Sequence, residues 1–210
     1  MEFKLGNDVY LVVSLFNDET VVHIRKYELK KDGIGKYPTK IGVCLTPKRF
    51  VSLITNFDDI DNMYKYVSRT DGEWRTIHIG GELYASVTND YKCINLRHFY
   101  RSENNKALPG RQGIALTLLM WSKLKKHALE LREADEVLKN ATLCMNGTDH
   151  ANQMGFFECG ECVPFVGSFY GGGYADDNAV ELPPRYNSSL QCPEEPPPAK
   201  KQKKMAASTS

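Results

Sequence analysis

No stretch of the sequence approaches the roughly 18 consecutive apolar residues that a membrane span needs, so no membrane partner is expected. The opening residues, Met1 to Tyr10, have neither a basic start nor a continuous apolar block, and no secretory signal is read there. Catalytic signatures are missing too: there is no phosphate-binding Walker loop, no HExxH and no GxSxG. The five histidines, His23, His78, His98, His127 and His150, are dispersed along the chain. The expectation is therefore a protein that is not an enzyme and holds no cofactor. Six cysteines (Cys44, Cys93, Cys144, Cys159, Cys162, Cys192) are scattered rather than framed as a disulfide scaffold, which fits a reducing compartment. The sequons at Asn140, Asn146 and Asn187 read as chance matches in that setting. Charge of one sign is not in excess, since the net charge is +1, so any electrostatic signal has to come from its distribution.

What the sequence does contain is a repeat. Gly6, Tyr10 and Val13 recur as Gly80, Tyr84 and Val87, each 74 positions on. Arg25 recurs as Arg97 at an offset of 72. Pro38, Gly42, Leu45, Thr46 and Leu53 recur as Pro109, Gly113, Leu116, Thr117 and Leu124 at 71, and Phe50 is answered by Trp121. The offset changes only in polar segments, Phe16–Thr20 and Lys30–Lys36. Turns absorb a change in length, whereas a one-residue slip inside a strand inverts its faces.

Each copy reads as strands followed by a helix. In the first, Val9–Leu15, Thr20–Leu29 and Lys40–Leu45 are rich in β-branched and aromatic residues, with a short strand around Phe3–Gly6 ahead of them. Thr46 then Pro47 give an N-cap and a first-turn proline, and Phe50, Leu53, Ile54 and Phe57 form one apolar helix face. In the second copy Thr117 caps a helix reaching about Asn140, with Trp121, Leu124, Ala128, Leu131 and Leu138 as its stripe. The two homologous faces each need an apolar partner, and the expectation is that they pack against each other.

Cations gather from the middle strands to the helix start of each copy. Residues 20–49 carry eight Lys or Arg against Glu28 and Asp32, and residues 92–126 carry eight against Glu103. The helix tails reverse the sign, with Asp58, Asp59 and Asp61 in one copy and Glu130, Glu133, Asp135 and Glu136 in the other. Cations on one surface grip a polyanion by releasing its counterions, and aromatics among them can stack on unpaired bases. Phe16, Tyr27, Phe99 and Tyr100 lie in or beside these stretches. An ordinary solvated sheet face with core aromatics accounts for the same composition.

The second copy, through Arg97-His98-Phe99-Tyr100, Pro109-Gly110-Arg111-Gln112-Gly113 and Trp121-Ser122-Lys123-Leu124-Lys125, resembles the positive cofactor 4 family of transcriptional coactivators. The first copy resembles it more loosely, and the two cover about residues 1–140. The resemblance implies an α+β fold of two tandem units, each of four antiparallel strands followed by a long helix. In the family such units dimerise through their helices; here the two would form an intrachain pseudo-dimer, with a largely irregular C-terminal tail after it. It also implies binding of single-stranded or melted DNA and work with the RNA polymerase II transcription machinery.

Carried over residue by residue, the resemblance gives Arg25 and Arg97 as strand arginines, Arg111 as the loop arginine with Lys40 its counterpart, Tyr100 at a stacking position and Phe16 at a loop phenylalanine. Lys92 and Lys106 complete the expected DNA-binding set. Five positions depart from the family pattern: Glu28 replaces the stacking residue in copy one, Asn7 and Gly81 stand where the family has lysine, and Gln112 and Ile41 replace the loop's second basic residue.

The boundaries expected are 1–68 for the first unit, 74–140 for the second and 141–210 for a flexible tail. That tail holds Cys159-Gly160-Glu161-Cys162, which with Cys144 and His150 could supply four zinc ligands. A lone C-x-x-C is half a structural site, and the phenylalanines around it could instead pack a small satellite cluster, so no metal is assigned. Pro183-Pro184-Arg185-Tyr186 fits a ligand for a WW-domain protein through Pro183, Pro184 and Tyr186. Lys200, Lys201, Lys203 and Lys204 read as a nuclear localisation element, giving the nucleus as compartment. The expected function is a DNA-binding transcriptional coactivator or regulator. The alternative is an adaptor that keeps the fold without binding DNA and recruits partners through its tail.

Overall fold

In a computed structural model of the chain, residues 1–30, 33–69, 74–88, 92–103, 107–147, 150 and 153–163 are described. Strands β1 (Glu2–Gly6), β2 (Val9–Phe16), β3 (Glu19–Leu29) and β4 (Lys36–Leu45) form one antiparallel sheet in chain order. Strands β5 (Trp74–Gly80), β6 (Leu83–Thr88), β7 (Ile94–Arg101) and β8 (Ala107–Leu116) form a second of the same order. In the first sheet, Asn7-Asp8 and Asn17-Asp18 make the tight turns, with φ of 44, 58, 50 and 63°. Two successive left-handed residues give the turn whose twist matches a hairpin, and Asn and Asp tolerate that backbone best after glycine.

The register carries the repeat into three dimensions. Tyr10 pairs with Arg25 and Arg25 with Gly42; Tyr84 pairs with Arg97 and Arg97 with Gly113. Both sheets then slip at the same point, between Arg25 and Tyr27 and between Arg97 and Phe99. Each slip is a bulge that turns the strand end away from the core. The glycine opposite is required by the close approach. A Cβ on Gly42 would lie 2.6 Å from the Ile24 carbonyl oxygen, and one on Gly113 would lie 2.6 Å from that of Leu96.

Helices α1 (Pro47–Thr55) and α2 (Phe57–Val67) follow the first sheet, and α3 (Leu118–Ala134) and α4 (Glu136–Asn140) follow the second. The Thr46 hydroxyl accepts from the Arg49 N–H and the Thr117 hydroxyl from that of Met120, so both expected caps are in place. The helices are interrupted where periodicity runs on. Asn56 leaves helical geometry, and its backbone and side-chain N–H groups both donate to the Ser52 carbonyl. Asp135 does the same in the second copy, its carboxylate accepting from the Val137 and Leu138 N–H groups to start α4. Short polar side chains that compete for backbone partners break a helix at little cost in buried apolar area. Strand β4 also begins at Lys36, four residues before the expected Lys40, because Glu28 and Leu29 pair with Tyr37 and Lys36 beyond the bulge.

Helices and sheets cross over. Helix α2 lies on β5 and β6 of the second sheet, while α3 lies on β1 and β2 of the first. Phe3 stacks on His127 with ring centroids 4.5 Å apart, and the Arg75 guanidinium sits 3.7 Å over the Tyr66 ring. Between the helices, Phe57 meets Trp121 edge to face at 5.3 Å. The Trp121 indole donates to Asp61 (2.7 Å), which also pairs with Lys125. One continuous core results, running from Leu5 and Leu11 through Phe50 and Trp121 to Leu96 and Leu138. The intrachain pseudo-dimer is thus built with each unit's main helix covering the other's sheet. The edge strands β4 and β8 lie alongside each other without sharing a ladder.

Candidate nucleic-acid interface

In an antiparallel pair, residues directly opposite share a face, so each Tyr–Arg pair marks the side of its sheet turned away from the helices. On the first sheet that side carries Tyr10, Arg25 and Tyr27, all half-buried. Tyr10 and Tyr27 meet edge to face at 5.4 Å, and the Lys36 ammonium lies 3.2 Å from the Tyr10 ring centroid while pairing with Glu2. The Arg25 Nη1 donates to the Thr39 carbonyl (2.8 Å) and so braces β3 to β4 at the bulge. On the second sheet Tyr84 and Phe99 occupy the matching places at 4.6 Å, and the Arg97 Nη1 donates to the Gly110 carbonyl at the same 2.8 Å.

The residues expected to contact DNA divide by exposure. Phe16, at the end of β2, is 66% exposed, and Tyr100, at the end of β7, is 51% exposed. Lys40 on β4, Arg111 on β8 and Lys92 ahead of β7 are exposed as well. Arg25 is half-buried, whereas Arg97 is only 3% exposed, with its guanidinium against the β8 backbone. Lys106 falls outside the described residues, as do Lys200, Lys201, Lys203, Lys204 and the Pro183, Pro184 and Tyr186 segment. Glu28, which stands in for the stacking residue in copy one, accepts from the Tyr37 hydroxyl (2.7 Å) across β3 and β4. Its carboxylate is thereby tied to an aromatic ring that is itself 43% exposed.

Sequence reasoning gave no role to Tyr10, Lys36 or Tyr37. The signal for Tyr10 was present, since Tyr10 and Tyr84 recur together with the two arginines they pair with. Tyr37 and Lys36 had no such signal, because the β3–β4 hairpin differs in length between the copies.

The histidines of the strands are set against protonation. Burial, and then the Arg25 charge, pushes the His23 pKa down; burial, and then Arg49, does so for His98. Neither adds to the positive surface near neutral pH.

A second cluster lies away from the sheet faces. The segment after α4 carries a 3-10 turn (Cys144–Asn146) and the short helix α5 (Gln153–Phe157). Ligand-type atoms of Cys144, His150, Cys159 and Cys162 all lie within 4.8 Å of one another. The Cys144 and Cys159 sulfurs are 3.7 Å apart, and His150 Nε2 is 3.5 Å from the Cys162 sulfur. Burial and the neighbouring Cys144 and Cys159 push the Cys162 thiol up to about 12.

These features define a class of protein: a tandem pair of four-stranded units with exchanged helices, one shared core, and aromatic and cationic side chains along the strand ends. The model of the family Transcriptional Coactivator p15 (PC4) matches residues 3–56 and residues 85–127, one segment in each unit. The chain therefore carries two tandem copies related to that family of transcriptional coactivators. No curated protein sequence matches the chain.

Proposed function

We propose that this chain is a nuclear transcription regulator that binds single-stranded or melted DNA and acts with the RNA polymerase II machinery. The observation that carries the reading is the Tyr–Arg pair, repeated in one register on the same side of both sheets and flanked by exposed aromatics and cations. Bases stack on Tyr100 and Phe16, and Tyr10 and Tyr27 extend that platform in the first unit. Phosphates are met by Arg111, Lys40 and Lys92, with Arg25 and Lys106 as further contacts. Arg97 contributes by holding the Gly110 carbonyl, and with it the bend of β8 that carries Arg111. Such a surface is tolerant of sequence, because every base offers a ring face and every nucleotide a phosphate. The match to a coactivator family supports the assignment to transcription rather than to repair. The localisation rests on the Lys200–Lys204 element.

The test is a fluorescence-anisotropy salt titration on a short unstructured oligonucleotide with the full chain. Tyr100→Ala should cost on the order of 1–3 kcal/mol. Arg111→Ala should lower the salt slope by about one. Glu28→Trp should tighten binding, since it removes a carboxylate and restores a ring. If none of the three moves the affinity while wild type binds, the proposed surface is wrong. If wild type fails to bind at low salt, the chain is an adaptor and the tail becomes the place to look for partners.

A further inference from the structure

The described residues of the segment from Ala141 to Val163 bury little apolar surface. None of its described residues is among the buried apolar set. Among its described residues His150 meets Phe156 at 6.1 Å and Phe156 meets Phe157 at 5.8 Å. Segments this small and this poor in core require a staple. Yet four side chains of metal-binding type converge within it: Cys144 from a 3-10 turn, His150, and Cys159 and Cys162 from a C-x-x-C turn.

The two closest approaches fit one cation. A tetrahedral zinc with Zn–S near 2.3 Å and Zn–N near 2.0–2.1 Å needs sulfur–sulfur edges of about 3.8 Å and sulfur–nitrogen edges of about 3.5 Å. The structure has 3.7 Å for Cys144 and Cys159, and 3.5 Å for Cys162 and His150. A sulfur pair at 3.7 Å is far from the roughly 2.05 Å of a bonded disulfide. The C-x-x-C turn also aims the backbone N–H groups of Glu161 and Cys162 at the Cys159 sulfur. Three sulfurs and an imidazole make up the four ligands of a structural zinc site and leave no open position for a substrate.

We propose that Cys144, His150, Cys159 and Cys162 form a structural zinc site that locks the segment after α4 across the seam between the two units. The reach of Glu161, which lies between the two ligands of the C-x-x-C turn, gives the site this second role. Its carboxylate takes a two-pronged contact from Arg49 of α1, with Nε donating at 2.7 Å. Its carbonyl accepts the Gly81 N–H (2.9 Å) at the β5–β6 turn. One residue of the zinc turn is thus bonded to the first unit's helix and the second unit's hairpin. Gly81 is what lets Arg49 pass: a Cβ there would lie 2.3 Å from its Nη2. Between the turn and α1 remains a cleft of about 350 Å³ bordered by Lys48, Ser52, His78 and Phe156. This proposal is independent of DNA binding and stands or falls without it.

The test begins with wild-type full chain produced in zinc-supplemented medium and purified under reducing conditions. Elemental analysis should find one zinc per chain. Exchange into cobalt(II) should give the visible ligand-field and sulfur charge-transfer bands of a tetrahedral, sulfur-rich site. Cys162→Ser should lose the metal, whereas Cys44→Ser, which alters a cysteine outside the cluster, should keep it. Because the cobalt spectrum is read on wild type, a poorly folding variant does not weaken the test. Glu161→Gln should retain the zinc and yet expose the 141–163 segment to limited proteolysis faster than wild type. Wild type that holds neither zinc nor cobalt overturns the site, as does a Cys162→Ser chain that still binds one equivalent. Unchanged proteolysis in Glu161→Gln overturns the locking role.

Discussion

The two units share a register and differ in what their outward faces show. In the first, Tyr10, Val12, Ser14, His23, Arg25, Tyr27 and Cys44 are all half-buried. In the second, the equivalents Ser86, Thr88, Asn95, Arg97, Phe99 and Ala115 are buried, and only Tyr84 is not. The backbone does not cause this difference, because the cross-strand pairs and the bulge coincide. The first unit therefore has the more open face. The second unit keeps its exposed ring and guanidinium, Tyr100 and Arg111, at the strand end and on the edge strand.

The largest effect should come from testing whether the units are separable at all. Trp121→Ala removes a fully buried ring that touches Phe57 and donates to Asp61, at a cost of about 3–5 kcal/mol. Phe50→Ala, the equivalent change in the first copy, should cost a similar amount. In denaturant, each should shift one cooperative transition reported alike by far- and near-ultraviolet circular dichroism. Two resolved transitions would mean that the exchanged helices do not unite the core.

The two arginines sharpen the contrast between the faces. Arg97→Ala withdraws a buried, charged donor from the Gly110 carbonyl and should lower stability by about 1.5–3 kcal/mol. Arg25→Ala removes the same bond from a half-exposed side chain. It should cost less stability and more of the salt-dependent DNA affinity. Equal losses of both kinds from the two variants would erase the difference between the two faces.

The smallest effect is a dependence on pH. The folded-state pKa values of His23 and His98 lie below the ordinary 6.5. The unfolded chain then takes up protons first as pH falls, so the stability present above about 6.5 is lost progressively as pH drops through that value toward the lowered folded ones. His23 corresponds to Asn95 in the second unit, which does not titrate. His23→Asn makes the units alike at this position and should flatten the pH profile of thermal stability between pH 7 and 5. An unchanged profile would assign the effect to other groups.

Much of this was legible in the chain because repetition acts as an internal control. A pattern of Gly6, Tyr10 and Arg25 recurring as Gly80, Tyr84 and Arg97 gave the units, and Thr46 and Thr117 gave the helix starts. The helix breaks at Asn56 and Asp135 were not visible, since the apolar period continues across both. Tyr37 and its bond to Glu28 were hidden by the longer β3–β4 hairpin, whose register is fixed by a bulge rather than by hydrophobic alternation. The burial of Arg97 was equally out of reach, because a strand arginine reads the same whether its guanidinium meets solvent or a neighbouring carbonyl.

The sequence by itself determined the units, their strand content, the apolar faces of the helices and the cationic bias of the strand ends. These depend on residue type and local period, and both are properties of the chain read in order. Only the tertiary structure decided that each main helix crosses to the other sheet, that Arg97 turns inward while Tyr100 turns out, and that Cys144, His150, Cys159 and Cys162 meet. Those outcomes depend on distances between residues far apart in the chain, which are set by how one shared core closes.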